Sequence, residues 1–183
     1  MPIICILEAV SNSKFEKPVG SGFASMAASM PDGVDLSTTL LDRDQIAAVL
    51  PHRHEMAMLD RVVYRGSEAV VGAIEITEDA WWVRGHLPGR PIFPGVLMLE
   101  AMGQLGSVEF QLRREEGDRP FLGFAAVDGA RFRGMVTPTC TLALVCETVR
   151  HRDRIGVWCC AGYVDGELVA ECTMTGVVIP EPR

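Results

Sequence analysis

The chain has 183 residues, 48% hydrophobic and 22% charged, proportions of an ordinary globular domain that exclude a wholly disordered or fibrous chain. Seventeen Lys+Arg against 24 Asp+Glu leave a net charge of −7, a poor basis for binding nucleic acid. No apolar run approaches the roughly 18 residues that a membrane-crossing helix needs.

Residues 1–34 differ from the rest. The apolar run Ile3–Leu7 has no basic residues before it and is cut by Glu8, so it is not read as a signal peptide. The stretch Gly20 to Met30 is small and polar, and residues 1–34 are expected to form a flexible N-terminal extension, with Met26 or Met30 as alternative starts. Both lysines, Lys14 and Lys17, fall here; from Asp35 onward the basic residues are 15 arginines, facing 21 acids.

Residues 35–183 are expected to form one domain. Asp42 to Leu50 reads as a short helix with acids in its first turn, ended by Pro51. Met56–Tyr64 and Glu68–Thr77 read as strands joined by a turn at Gly66-Ser67. His52 and His54 have metal-ligand spacing but no third ligand, so no metal site is expected; His52 and Arg53 are read as pinning the corner between helix and strand. A loop rich in Gly, Pro and aromatics spans Asp79–Phe93, with Trp81-Trp82 as a core or interface anchor. Pro94 suits the first position of a long helix from Gly95 to about Arg114. Four more strands follow: Phe121–Phe132, Thr139–Val149, Ile155–Val164 and Leu168–Ile179. Arg150-His151-Arg152 with Arg154 is read as a solvated hairpin turn, and Asp165-Gly166 as a type I′ hairpin turn. One mostly apolar helix among about six strands predicts an α+β domain in which an antiparallel sheet curls around the helix, so polar residues on that helix need a reason to be there.

The six cysteines, at 5, 140, 146, 159, 160 and 172, form no C-x-x-C pair and are read as buried free thiols in a reducing compartment. Cys159 and Cys160, adjacent in a strand, would point to opposite faces of the sheet.

The chemistry concentrates between residues 85 and 104. His86 stands in a tight Gly/Pro loop that can aim an imidazole. Glu100 and Gln104 share a helix face at i, i+4 spacing among apolar neighbours. The helix start leaves the Gly95 and Val96 amides free for an oxyanion. Together these predict proton abstraction α to a carbonyl with acid-assisted loss of a leaving group. Gln104 either touches substrate or satisfies a buried backbone group.

Gly85-His86-Leu87-Pro88-Gly89, Pro91 to Val96 and Leu99 to Gln104, with Leu50-Pro51-His52-Arg53, Leu59 to Val62, Asp128 and Ala130-Arg131-Phe132, resemble the 3-hydroxyacyl-[acyl carrier protein] dehydratases of the FabZ/FabA family over about Leu36–Val178. The resemblance implies the hotdog fold, a long central helix wrapped by a curved antiparallel sheet. It also implies a homodimer or trimer of dimers, cytoplasmic and without a cofactor. The implied reaction is reversible dehydration of a 3-hydroxyacyl thioester, carried on the phosphopantetheine arm of acyl carrier protein, to the trans-2-enoyl thioester. His86 and Glu100 would be the catalytic pair, meeting across the dimer interface, with Gly95 supplying the oxyanion amide. Carrier docking is expected at Arg90 and Arg133, with Arg84 and Arg131 tied into structural ion pairs. Leu87, His54-Glu55-Met56, Gly129 and Thr139-Cys140 depart from the family pattern at positions expected to shape substrate choice. The alternatives are a hotdog acyl-thioester hydrolase and a non-catalytic acyl-thioester-binding subunit.

Overall fold

The computed structural model describes residues 27–115 and 117–180. The run Ile3–Leu7, Cys5, Met26 and most of the expected extension lie outside the described residues.

Among the described residues, two α-helices and six strands follow one another as α1 (Arg43–Val49), β1 (Arg61–Arg65), β2 (Ala69–Ile76), α2 (Gly95–Leu112), β3 (Leu122–Phe132), β4 (Cys140–Arg152), β5 (Ile155–Val164) and β6 (Glu167–Val178). The strands make one antiparallel sheet in the order β1-β2-β4-β5-β6-β3. Helix α2 lies against its concave face, and from Ala101 to Gln111 every residue is buried. This is the expected architecture, and the reason is compositional. A helix apolar on almost all sides is stable in water only when enclosed, and the sheet supplies Ile74, Leu142, Leu144, Cys146, Cys160 and Met174 to enclose it. Among the described residues, no helix is long and apolar enough to cross a membrane.

Local signals set the boundaries. Asp42 caps α1 with a reciprocal box: its carboxylate accepts from the Gln45 N–H, and the Gln45 side chain accepts from the Asp42 N–H. Asp165 and Gly166, at φ 51° and 82°, form the expected hairpin turn between β5 and β6. Cys160 joins the core under α2, whereas Cys159 faces the other side of the sheet, as the strand alternation requires.

Two expectations are corrected. The strand expected over Met56–Tyr64 begins only at Arg61. A single 3-10 turn occupies His54–Met56, because the Gln104 amide on α2 takes up the Met56 carbonyl and the Met58 N–H that a ladder would have used. Nor is Arg150-His151-Arg152 a turn: β4 runs through it, pairing these residues with Val157, Gly156 and Ile155. Arg150 and Arg152 are exposed, but the His151 ring packs edge-on against Phe110 at 4.7 Å.

The convex face of the sheet is also covered. Ala27, Ala28, Met30 and Val34 pack on Val63, Val71, Ala73, Val145 and Ala161, and the Tyr163 hydroxyl donates to the Ala28 carbonyl at 2.8 Å. The two sheet edges are treated differently. At β1, Val62 exchanges backbone hydrogen bonds with Leu41, and the Arg61 guanidinium holds the Leu36 carbonyl. At β3, no strand among the described residues pairs with the outer side.

Candidate active site

His86 sits in a loop that the backbone bends tightly. The His86 N–H donates to the Trp82 carbonyl at 2.8 Å, and the Arg90 N–H to the Leu87 carbonyl at 2.8 Å. Between them Leu87 and Gly89 adopt left-handed φ values of 58° and 84°. Glycine takes that conformation freely, whereas a leucine there costs roughly 1–2 kcal/mol. Trp82, buried and edge-on to Phe93 at 5.3 Å, anchors the loop to the core, while Trp81 stays outside. The His86 ring is half-buried, and its Nδ1 lies 2.6 Å from the Ile92 carbonyl. A carbonyl can only accept, so Nδ1 carries the proton and the lone pair of the neutral ring is on Nε2. The loop therefore fixes both the orientation of the ring and the tautomer that a base requires.

Glu100 lies one and a half turns into α2. Gln104, one turn further and 1% exposed, donates from Nε2 to Glu100 Oε1 at 2.8 Å. The same amide donates to the Met56 carbonyl at 2.7 Å and accepts from the Met58 N–H at 3.0 Å. Both ends of the Gln104 side chain are thus engaged by the protein, and its direct contact is with Glu100. Oε2 of Glu100 has no hydrogen-bond partner among the described residues. His52, read from the sequence only as a corner residue, brings its Nε2 to 3.5 Å from Glu100 Oε1. No spacing rule joins residue 52 to residue 100; the sole sequence hint is the His-Arg pair directly after Pro51.

Pro94 caps α2 without a side-chain hydrogen bond, so the Gly95 and Val96 amides begin the helix uncapped. The Phe132 ring leans on Gly95, where a Cβ would come within 2.8 Å of it, so glycine is needed for this approach. Val96 is 69% exposed, and with Leu87, Phe132 and Met135 it leaves the mouth of the site apolar and open. His86 and Glu100 are joined by no hydrogen bond or ion pair among the described residues. A cavity of about 460 Å³ beside Trp81, Trp82 and Phe93 is lined by neither.

Arg131 is in an ion pair and Arg90 is exposed, as expected, but Arg133 and Arg84 are arranged otherwise. Arg133, expected to be free, pairs with the buried Glu171, which also meets Arg131 at 3.5 Å. Arg84 is exposed and makes no ion pair among the described residues. Arg90 is exposed, with Nη2 3.9 Å from Met135 Sδ.

Comparison with known proteins shows the family. A family model described as a FabA-like domain matches residues 50–173. A 3-hydroxyacyl-[acyl-carrier-protein] dehydratase FabZ from Clostridium acetobutylicum is 39% identical over 142 residues, 76% of this chain and 99% of that protein. Those from Staphylococcus haemolyticus and Nitratidesulfovibrio vulgaris are 36% and 37% identical, covering 75% and 79% of this chain and 94% and 95% of theirs. Among solved structures, the dehydratase heterocomplex ApeI:P from Xenorhabdus doucetiae superposes with a TM-score of 0.66 at 16% identity, over 77% of this chain and 93% of that one. A mutant thioesterase from Pseudomonas aeruginosa gives 0.59 at 16% identity, over 80% of this chain and 99% of that one; these two show the hotdog fold alone. With the family model spanning most of the chain and FabZ relatives covered almost end to end, the chain belongs to the FabA-like family of 3-hydroxyacyl-[acyl-carrier-protein] dehydratases.

Proposed function

We propose that the protein dehydrates 3-hydroxyacyl thioesters on acyl carrier protein to trans-2-enoyl thioesters, reversibly, as the names of its FabZ relatives describe for them. The observation that carries the reading is the His86 ring, locked by the Ile92 carbonyl with its basic nitrogen free. His86 Nε2 takes the α-proton. Negative charge builds on the thioester oxygen, which the Gly95 amide and the positive end of α2 stabilise, with the Val96 amide beside it. The C3–oxygen bond breaks, and the hydroxyl leaves as water with a proton from Glu100 Oε2. Passing the proton on His86 to Glu100 resets the site. Gln104 and His52 hold the other carboxylate oxygen and so fix where Oε2 can be.

A second copy completes the site. His86 of one subunit meets Glu100 of the other, which agrees with the lack of a direct link within one chain and with the exposed apolar rim of Leu87, Val96, Phe132 and Met135. The carrier approaches through local positive charge on an otherwise acidic protein, with Arg90 beside the catalytic loop and Arg133, half-exposed despite its pairing, across the mouth.

Mixing tests both statements. His86→Ala and Glu100→Ala proteins, each inactive alone, should regain activity when their subunits exchange, because a mixed dimer holds one intact site. Enoyl absorbance reports dehydration, and free thiol reports hydrolysis. Thiol release without enoyl product would make the protein a hydrolase, and no rescue despite proven exchange would place both groups of a site in one chain.

A further inference from the structure

Along the buried face of α2 runs a polar stripe: Glu100, Gln104, Ser107 and Gln111, spaced i, i+4, i+7 and i+11 and therefore stacked on one side of the helix. Glu100 and Gln104 are accounted for by the reaction. Ser107 and Gln111, 6% and 5% exposed, are not. Both line a cavity of about 220 Å³ between α1, α2 and the start of β3. His52, which touches Glu100, lines its near end. Leu50, Pro51, Phe121 and Leu122 make apolar walls, and Arg53 and Arg119 complete the lining, with guanidinium groups that donate to the Leu50, His52 and Ala48 carbonyls.

Two buried polar atoms of this lining lack a hydrogen-bond partner among the described residues: His52 Nδ1 and Gln111 Oε1. The Gln111 Nε2 donates to the Pro120 carbonyl at 2.8 Å, so the orphan atom is the amide oxygen, an acceptor. His52 brings Nε2 to 3.5 Å from the Glu100 carboxyl and leaves Nδ1 without a partner among the described residues. A trough with apolar walls and an unpaired acceptor, Gln111 Oε1, along it suits a hydrocarbon chain that carries a hydrogen-bond donor.

We propose that this cavity receives the distal part of the acyl chain and selects chains bearing a hydroxyl group there, with Gln111 as the specificity-determining residue; the proposal rests on Glu100 marking the reacting end. On the helix, Ser107 lies about 10 Å and Gln111 about 16 Å beyond Glu100, and the Gln111 side chain leans back toward the reacting end. Water can satisfy the acceptor of an empty cavity. A methyl-terminated chain that displaces the water strands the acceptor, whereas a hydroxyl replaces the water's hydrogen bond. Sites built to bind a hydroxyl reject the analogue lacking it for this reason.

The test uses full-length protein and acyl N-acetylcysteamine thioesters without the 3-hydroxyl group, which cannot be dehydrated. Matched pairs of eight to fourteen carbons end in a methyl or a hydroxymethyl group, and binding is measured by calorimetry. At the lengths that reach Gln111, the hydroxymethyl ligand should bind about fivefold to tenfold tighter, the worth of one hydrogen bond. Gln111→Met, and Gln111→Leu as a second variant, should reverse that order. Equal or tighter binding of the methyl ligand at every length overturns the proposal, as does a ratio that survives both variants. Should neither variant fold, the wild-type ratio still decides. Turnover of 3-hydroxyacyl thioesters is scored separately: turnover without a hydroxyl preference overturns the subsite alone, and a preference without turnover overturns the dehydratase reading and leaves the subsite standing.

Discussion

Replacing Gln104 with leucine should damage stability and catalysis together, by amounts the structure allows to be worked out. The side chain makes three hydrogen bonds, to the Met56 carbonyl, the Met58 N–H and Glu100. Met56 is 45% exposed, so its carbonyl can turn to water at little cost. Met58 is buried, and an orphaned N–H there costs about 1–3 kcal/mol. Leucine fills the space without polar atoms, so the net should be about 2 kcal/mol, lowering Tm by about 4–8 °C in a chain of this size. Glu100 meanwhile loses the donor that fixes its rotamer, and turnover should fall about tenfold to a hundredfold, as small misplacements of a reacting group do. Melting curves and initial rates of enoyl formation at saturating substrate measure the two effects. A Tm unchanged within error, or a rate within a factor of two, would refute the idea that one amide holds both the 54–58 turn and the carboxyl.

Further outcomes follow from other contacts. Glu100→Gln should lower kcat by two orders of magnitude or more while leaving KM nearly unchanged, because the amide keeps the shape but has no proton to give; an unchanged kcat would reduce Glu100 to positioning. Burial holds the His151 imidazole below its ordinary range, and its Nε2 is buried without a partner. The unfolded chain therefore takes up this proton first, so stability should drop as pH falls through the ordinary histidine range toward the lowered folded value; His151→Phe should flatten that part of a Tm-against-pH curve. Cys146 and Cys160 lie 3.4 Å apart in the core, and the neighbouring sulfurs and burial push the Cys160 and Cys172 thiols up. Alkylation of the folded protein, read by mass spectrometry, should spare Cys146, Cys160 and Cys172 until it unfolds. Charge reversal at Arg90 should weaken use of carrier-bound substrate but spare a short soluble thioester, with a salt dependence that an equal loss on both substrates would contradict.

Where one short-range rule acts alone, the sequence is a faithful guide. Asp165-Gly166 makes its turn, Pro94 opens its helix, and the crowded apolar run after it ends up enclosed by strands. The failures share a cause, a side chain that reaches across the fold. Met56–Asp60 has the composition of a strand, but Gln104, 48 residues after Met56, takes its hydrogen bonds. Arg133 resembles a free surface charge until β3 pairs with β6 and sets it beside Glu171. The fixed orientation of the His86 ring and the Glu100–Gln104 pairing on one helix face agree with the motif and the i, i+4 spacing. His52 was not legible, because only the packed corner after α1 carries it to Glu100.

The unequal edges of the sheet bear on how far the protein can assemble. Residues 36–41 occupy the outer side of β1, which cannot template another strand. Among the described residues, β3 is the edge left with unpaired backbone, flanked by exposed Phe124, Val127 and Phe132. A sheet with two open edges could add copies indefinitely and grow into a fibre. With one, antiparallel pairing of β3 with its own duplicate consumes every adhesive edge in a single event, and growth through strands halts at a closed pair. Further growth would then need contacts between faces rather than between strands.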